Sequence, residues 1–196
     1  AWLLGKIKRR PFVFHVQDLQ PDAAAGLGML KRGLLVRALY ALEKFAYEKA
    51  ARVSGITPGM LEAFRRKGIP GSKLILFPNG VSLPDRAARP APGAFRARNG
   101  FATDEFLAVY SGNLGVKQGL DILVEAARHL SPGIRIIICG EGAQREHLAE
   151  SIRHHALTNV TLLPLQSDAH YREMLRDADV CVITQQRGSG GFFFPS

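Results

Sequence analysis

Two rhythms of apolar residues alternate along this chain. Short runs of consecutive β-branched and aromatic residues read as strands, and longer stretches with apolar positions every three or four residues read as helices. Pro11-Phe-Val-Phe-His-Val16 predicts a buried strand ending in the polar pair Gln17-Asp18. After a loop containing Gly26-Leu-Gly28, the pattern predicts a long helix from about Lys31 to Ala51. Arg52-Val-Ser-Gly-Ile-Thr57 reads as a short strand. Thr57-Pro58 then starts a helix, with threonine at the N-cap and proline at the first helical position, where its missing N–H would have no partner anyway. That helix is expected to stop near Gly68, and Lys73-Leu-Ile-Leu-Phe77 forms a third strand closed by the turn signal Pro78-Asn-Gly80.

Residues 84–100 break this alternation: Pro84, Pro90, Pro92 and Gly93 fall among alanines and arginines with no sustained apolar period, the composition of a linker. The pattern restarts with a strand at Phe106–Tyr110, a helix at Gln118–Leu130, a strand at Ile134–Cys139 and a helix at Ala143–His155. A strand at Val160–Leu163, a helix at Ala169–Arg176 and a strand at Val180–Thr184 complete it. Helices between short β-branched strands call for a parallel sheet covered on both faces. The expected fold is therefore α/β with two Rossmann-like domains, residues 1–83 and 101–196, joined by the linker 84–100. The chain starts at Ala1 rather than methionine and stops within an apolar run, Gly188-Ser-Gly-Gly-Phe-Phe-Phe-Pro-Ser196, so both domains are expected to be incomplete.

Composition narrows the class. With 196 residues and 46% apolar content, the chain can build one good core or two modest ones. No apolar run approaches the roughly 18 residues of a membrane span, and Trp2-Leu-Leu-Gly followed by Lys6, Lys8, Arg9 and Arg10 lacks the order of a secretory signal. The two cysteines, Cys139 and Cys181, lie in apolar strand-like runs where a thiol behaves as a small hydrophobe; a reducing cytoplasm fits, and a disulfide framework does not. His147, His154 and His155 have no cysteine nearby, so no metal site is expected.

The net charge of +9 is uneven: residues 1–100 hold 18 Lys and Arg against 6 Asp and Glu, whereas residues 101–196 hold 8 against 11. Nucleic acid is not the expected partner of the basic half, because its cations are not interleaved with stacking aromatics. An anionic membrane surface fits better. Leu34, Leu35, Ala38, Leu42, Phe45 and Ala46 recur at helical spacing among Lys31, Arg32, Arg37, Lys44, Lys49 and Arg52, a basic amphipathic helix. Core packing explains the same apolar stripe more simply.

Ligands of open parallel sheets bind at the carboxyl ends of the strands. Four such loops stand out in the second half. Gly112-Asn-Leu-Gly-Val-Lys117 places Lys117 just ahead of a helix, a combination suited to a diphosphate; a tight turn with a surface lysine is the plainer alternative. Gly140-Glu-Gly142 offers backbone N–H groups, though glycine after a strand is common; Gly188-Ser-Gly-Gly191, with Ser189, Gly190 and Gly191, is either a phosphate wrap or a flexible tail; and Pro164-Leu-Gln-Ser167, with Leu165, reads more simply as an ordinary connection than as a nucleobase contact. None matches the dinucleotide fingerprint or the P-loop, which excludes those classes. In the first half His15, near the end of its strand and two residues before Gln17-Asp18, is either a structural histidine or a cleft residue.

Taken in order, Phe14-His-Val-Gln-Asp-Leu-Gln-Pro-Asp-Ala23, Phe77-Pro-Asn-Gly-Val81, Tyr110-Ser-Gly-Asn-Leu-Gly-Val-Lys-Gln-Gly119, Cys139-Gly-Glu-Gly142, Ala178-Asp-Val180 and Phe194-Pro-Ser196 carry a resemblance. The set resembles family 4 retaining glycosyltransferases of the GT-B fold, in particular the branch of colanic acid and other bacterial exopolysaccharide pathways. The resemblance implies transfer of a sugar from a nucleoside-diphosphate donor to an acceptor hydroxyl, with retention at the anomeric carbon. It implies a polyprenyl-linked saccharide acceptor, a site at the cytoplasmic face of the plasma membrane and no obligatory metal or other cofactor. His15, Asp18 and Lys117 match the family's cleft and donor residues, with His15 positioning first and acting as a base second. Gly112, Asn113, Gly140, Glu141, Gly142, Leu165, Ser189, Gly190 and Gly191 match its donor loops. Two departures show: Asn113 stands where an arginine is usual, and Thr184 to Ser196 holds no acidic residue. The one Asp-x-Asp, Asp177-Ala-Asp179, precedes its strand and so falls at the wrong sheet edge for a donor metal. A GT-B-fold epimerase or phosphorylase, and a non-catalytic nucleotide- or membrane-binding module, are the alternative readings; the lysine a phosphorylase needs for its cofactor is not identifiable.

Overall fold

A computed structural model describes residues 1–19, 21–22, 33–81 and 90–186. The chain divides into two compact units, Ala1–Val81 and Ser82–Arg187. In the first, helix α1 (Trp2–Lys8) leads to strand β1 (Val13–Val16), helix α2 (Leu34–Lys49), strand β2 (Arg52–Gly55), helix α3 (Pro58–Arg66) and strand β3 (Leu74–Leu76). The strands pair in parallel in the order β1-β2-β3. Right-handed crossovers in one direction put α2 and α3 on the same face. Beneath them Val16, Leu19, Tyr47, Val53, Met60 and Phe64 form the core.

The start of α3 is fixed locally as its sequence demands: Pro58 opens the helix and the Thr57 hydroxyl accepts from Met60 N–H at 3.2 Å. Gly55 lets β2 press against it, since a Cβ there would lie 3.0 Å from both Met60 and Phe64. One expectation is overturned in α2. Its apolar stripe does not pack into the core: Leu34, Leu35, Ala38, Leu42 and Phe45 are exposed, and Tyr47 is the buried residue of this helix. Periodicity tells which residues share a face and leaves open which way that face points.

The second unit contains helix α4 (Ala94–Asn99), strand β4 (Phe106–Ser111), helix α5 (Asp121–Ala127), strand β5 (Ile134–Cys139), helix α6 (Arg145–His154), strand β6 (Val160–Leu163), helix α7 (Asp168–Asp177) and strand β7 (Val180–Cys181). All pairings are parallel, in the order β6-β5-β4-β7. Alternate residues of the central strands serve opposite layers. Leu107, Val109, Ile137 and Cys139 pack with Phe95 and Met174, whereas Tyr110, Ile136 and Ile138 pack with Leu123, Val124 and Leu148.

Residues 93–100, expected in the linker, belong to this unit. Gly93 turns the chain at φ 80°, and Phe95 of α4 is fully buried. The start of α4 is held by Asp177, whose carboxylate accepts from the N–H groups of Gly93, Phe95 and Arg96 at 2.7, 2.9 and 3.1 Å. The Arg96 guanidinium in turn donates to the carbonyls of Ala102, Glu105 and Asp177 and to the Asp179 carboxylate. Asp179 also accepts from Leu107 N–H at 2.8 Å. Both acids of the Asp-x-Asp are thus occupied in joining α4, β4 and α7.

The two cysteines also part ways. Cys139 is buried, and burial pushes its thiol up to about 11, whereas Cys181 is exposed rather than packed away. Native protein is therefore expected to take up one equivalent of a thiol reagent at pH 8 and two in denaturant; uptake of two without denaturant would contradict this packing.

Candidate functional site

The strand order of the second unit decides where a ligand can sit. From β4 the chain runs through β5 to β6 on one side and returns to place β7 on the other, so the topological switch point lies between β4 and β7. The loop that follows β4 meets the segment that follows β7 there. Gln186 N–H donates to the Lys117 carbonyl at 2.9 Å, and a Cβ on Gly119 would lie 3.0 Å from the Gln186 Cα. Gly119 takes φ 58°, and this splits the expected Gln118–Leu130 helix into a 3-10 turn, Val116–Gln118, and α5. Lys117 accordingly lies half-buried in that turn and not directly at an α-helix start. Beside it is a cavity of about 290 Å³, bordered by Gly115, Gly119, Asp121, Gln144, Gln185 and Gln186 among others.

The two glycine loops form one floor. Gly112 N–H donates to Cys139 O at 3.0 Å, Leu114 N–H to Glu141 O at 2.8 Å, and Gln144 N–H back to Leu114 O at 2.8 Å. Gly140 and Gly142 sit at φ 152° and 151°, conformations that side chains rarely adopt. A Cβ on Gly140 would overlap the Gly112 carbonyl oxygen, and one on Gly142 would fall 2.5 Å from the Leu114 oxygen. Asn113 is exposed above this floor, its amide oxygen close to Gly142 and its amide nitrogen close to Gly115. The Tyr110 hydroxyl fixes the loop from below by donating to Asn113 O at 2.8 Å, and burial raises its pKa.

Of the residues anticipated from sequence, Gly112, Asn113, Gly140, Glu141 and Gly142 are brought together by these contacts, and Lys117 follows on the same loop. Leu165 stands apart, 64% exposed on the loop after the edge strand β6. Ser189, Gly190 and Gly191 lie outside the described residues. Sequence reading missed Arg145, which donates to Gly140 O at 2.8 Å and Leu163 O at 3.1 Å and so ties the ends of β5 and β6. A cation in the first turn of α6 opposes the helix dipole, and that mismatch was the available signal.

In the first unit, His15 is exposed near the carboxyl end of β1, in register with Ser54. Its Nδ1 lies 2.9 Å from the Ser54 hydroxyl, and the Gln17 amide nitrogen is 2.6 Å from Nε2. With Gln17 donating, Nε2 accepts and Nδ1 carries the proton. The ring meets Phe77 edge to face at 5.5 Å. Asp18 follows, half-buried, two residues past the strand end. A separate cavity of about 630 Å³ lies beside α2. Its charges are directed at one another, Lys67 pairing with Asp22 and Glu43. Burial lowers the Lys67 pKa, but these two partners outweigh it and leave a net rise. Among the described residues no group of three or more His, Cys, Asp or Glu side chains is placed to hold a metal ion.

Both units are parallel α/β, the architecture of GT-B glycosyltransferases. Residues 93–193 match the family Glycosyl transferases group 1, and residues 1–80 match the Glycosyl transferase 4-like domain. The chain belongs to the glycosyl transferases group 1 family. It is 30% identical over 200 residues to a protein of Escherichia coli (strain K12) named as a colanic acid biosynthesis glycosyl transferase, WcaI, covering 99% of this chain and 49% of that one. Among solved structures it is similar to Anabaena Alr3699/HepE in complex with UDP-glucose, at a TM-score of 0.74 and 19% identity, covering 94% of this chain and 49% of that one. It is also similar to WaaG, a glycosyltransferase involved in lipopolysaccharide biosynthesis, at a TM-score of 0.65 and 18% identity over 94% of this chain and 56% of that one. The chain thus spans about half the length of these relatives.

Proposed function

We propose that the protein transfers a sugar from a nucleoside-diphosphate donor to an acceptor hydroxyl, with retention at the anomeric carbon, on a polyprenyl-linked saccharide of exopolysaccharide synthesis. The observation that carries the donor assignment is the Lys117 turn at the switch point, beside a floor built of backbone. The colanic acid relative and the UDP-glucose complex of HepE support the substrate classes.

In this reading the diphosphate lies over the glycine loops, where the Lys117 ammonium and backbone N–H groups other than those of Gly112, Leu114, Gly140 and Gln144, which already donate to carbonyls, balance the charge that grows as the glycosidic bond breaks. A polar floor fixed before the donor arrives needs no rearrangement at that moment. Asn113 supplies an amide in place of a second cation. This reading needs no obligatory metal, and Asp177 and Asp179, committed to α4 and β4, are not assigned to the donor. His15 is assigned the positioning role that the family resemblance implies; to act as a base its Nε2 would first have to leave Gln17.

A thermal-shift screen of the full-length protein against UDP-, GDP- and other nucleotide sugars tests the reading. A donor at about 100 times its Kd stabilises the native state by about 2.7 kcal/mol, a shift of several degrees. One base should stand out among the donors. No shift with any nucleotide sugar would replace the enzyme reading with that of a non-catalytic module.

A further inference from the structure

Three polar side chains are buried among the described residues: Arg96 and Asp177, which hold α4, and Ser54, which has no part in that joint. Ser54 is 4% exposed in the middle of β2, between Val53 and Gly55. Side chains alternate along a strand, so Val53 and the Gly55 position face the core under α2 and α3, and Ser54 faces the other side of the sheet. There its register partners are His15 on β1 and Ile75 on β3. A buried hydroxyl is costly unless it is paired, and the partner of this one is the His15 ring, whose Nδ1 lies 2.9 Å from the serine oxygen.

Two more residues of the same face complete the setting. Gln17, two positions after His15, reaches back to Nε2, and Phe77, two after Ile75, meets the imidazole edge to face at 5.5 Å. Phe77 N–H donates to Gly55 O at 2.8 Å, which carries the β2–β3 ladder to this level. The three contacts are not equal as anchors. Gln17 and Phe77 are exposed and can move aside at little cost. Ser54 has one torsion before its oxygen and sits in a strand paired on both sides, so its hydroxyl is the fixed point. An imidazole held at one nitrogen presents the other in a set direction.

We infer that Ser54 is a positioning residue for His15: its buried hydroxyl fixes Nδ1 and keeps Nε2 directed outward, at the place a substrate hydroxyl would take from Gln17. The inference rests on the sugar-transfer reading. In the full-length protein Ser54→Ala should lower kcat/KM for transfer about tenfold, the upper range of one neutral hydrogen bond, with the melting midpoint within about 3 °C of the parent. Ser54→Thr, which keeps the hydroxyl, should recover most of the rate. In a His15→Ala background, Ser54→Ala should cost less than about twofold more, because the group it positions is gone. The ring-nitrogen NMR resonances of His15, assigned by their loss in His15→Ala, should move in Ser54→Ala. An unchanged rate in Ser54→Ala, a tenfold loss that recurs in the His15→Ala background, or unmoved ring resonances would each overturn the role while transfer by the parent protein persists. Absence of transfer by the parent would overturn the sugar-transfer reading, and this role with it.

Discussion

Alanine in place of Asp177 is expected to destabilise the second unit by about 3 kcal/mol, out of a total of roughly 5–15 for a domain of this kind. The carboxylate serves three N–H groups at the start of α4, two of them in buried hydrogen bonds. Loss of a helix cap alone costs about 0.5–2 kcal/mol, and each buried donor left without an acceptor adds about 1–3, though the three share one group and do not add in full. Arg96 would also remain buried with less negative charge beside it. In a thermal melt the midpoint should fall by roughly 10–20 °C. Asp177→Asn, which keeps an acceptor oxygen, should fall between the two. A variant Asp177→Ala within about 0.5 kcal/mol of the parent protein would show that Phe95 and the Arg96 hydrogen bonds hold α4 without the carboxylate.

The second large effect is functional. Lys117→Ala in the full-length protein should reduce kcat/KM for sugar transfer about 100-fold or more, the scale of one lost electrostatic contact to a developing anion. The anchor to Gln186 should survive, because it is made by the Lys117 backbone carbonyl, which alanine keeps, and a melting curve beside the rate separates loss of transfer from loss of fold. Lys117→Arg should recover part of the rate. Unchanged transfer by the alanine variant, with an unchanged melting point, would remove Lys117 from the donor site and leave the glycine floor to be tested separately.

What could be read from sequence was what adjacent residues determine. The β-branched runs Ile134–Cys139 and Val160–Leu163 form strands with those bounds, and Thr57-Pro58 caps a helix with the hydrogen bond its residue types imply. The glycine turns after β4 and β5 are legible as turns, but their union into one floor is not, because the contacts that join them run between residues distant in the chain. The features that escaped depend on partners distant in the chain. Six residues of α4 are too few to show a period, and the acid that caps them comes from α7. The break at Gly119 reflects the approach of Gln186, and Arg145 holds carbonyls of two different strands. The stripe of α2 is legible as a stripe but its direction is not, since the pattern carries no record of what lies outside the helix.

The floor shared by Gly112, Leu114, Gly140 and Gly142 also bears on how such a site can diversify. Backbone lies against backbone there, with no room for even a methyl group at position 140 or 142. Drift in sequence therefore has almost no purchase on that part of the pocket. On the proposed donor site, a change of sugar or base would have to come from side chains around the floor, such as Asn113, while the floor itself stayed as it is. In that sense the glycines set the part of the chemistry that is inherited, and the side chains around them set the part that is free to vary.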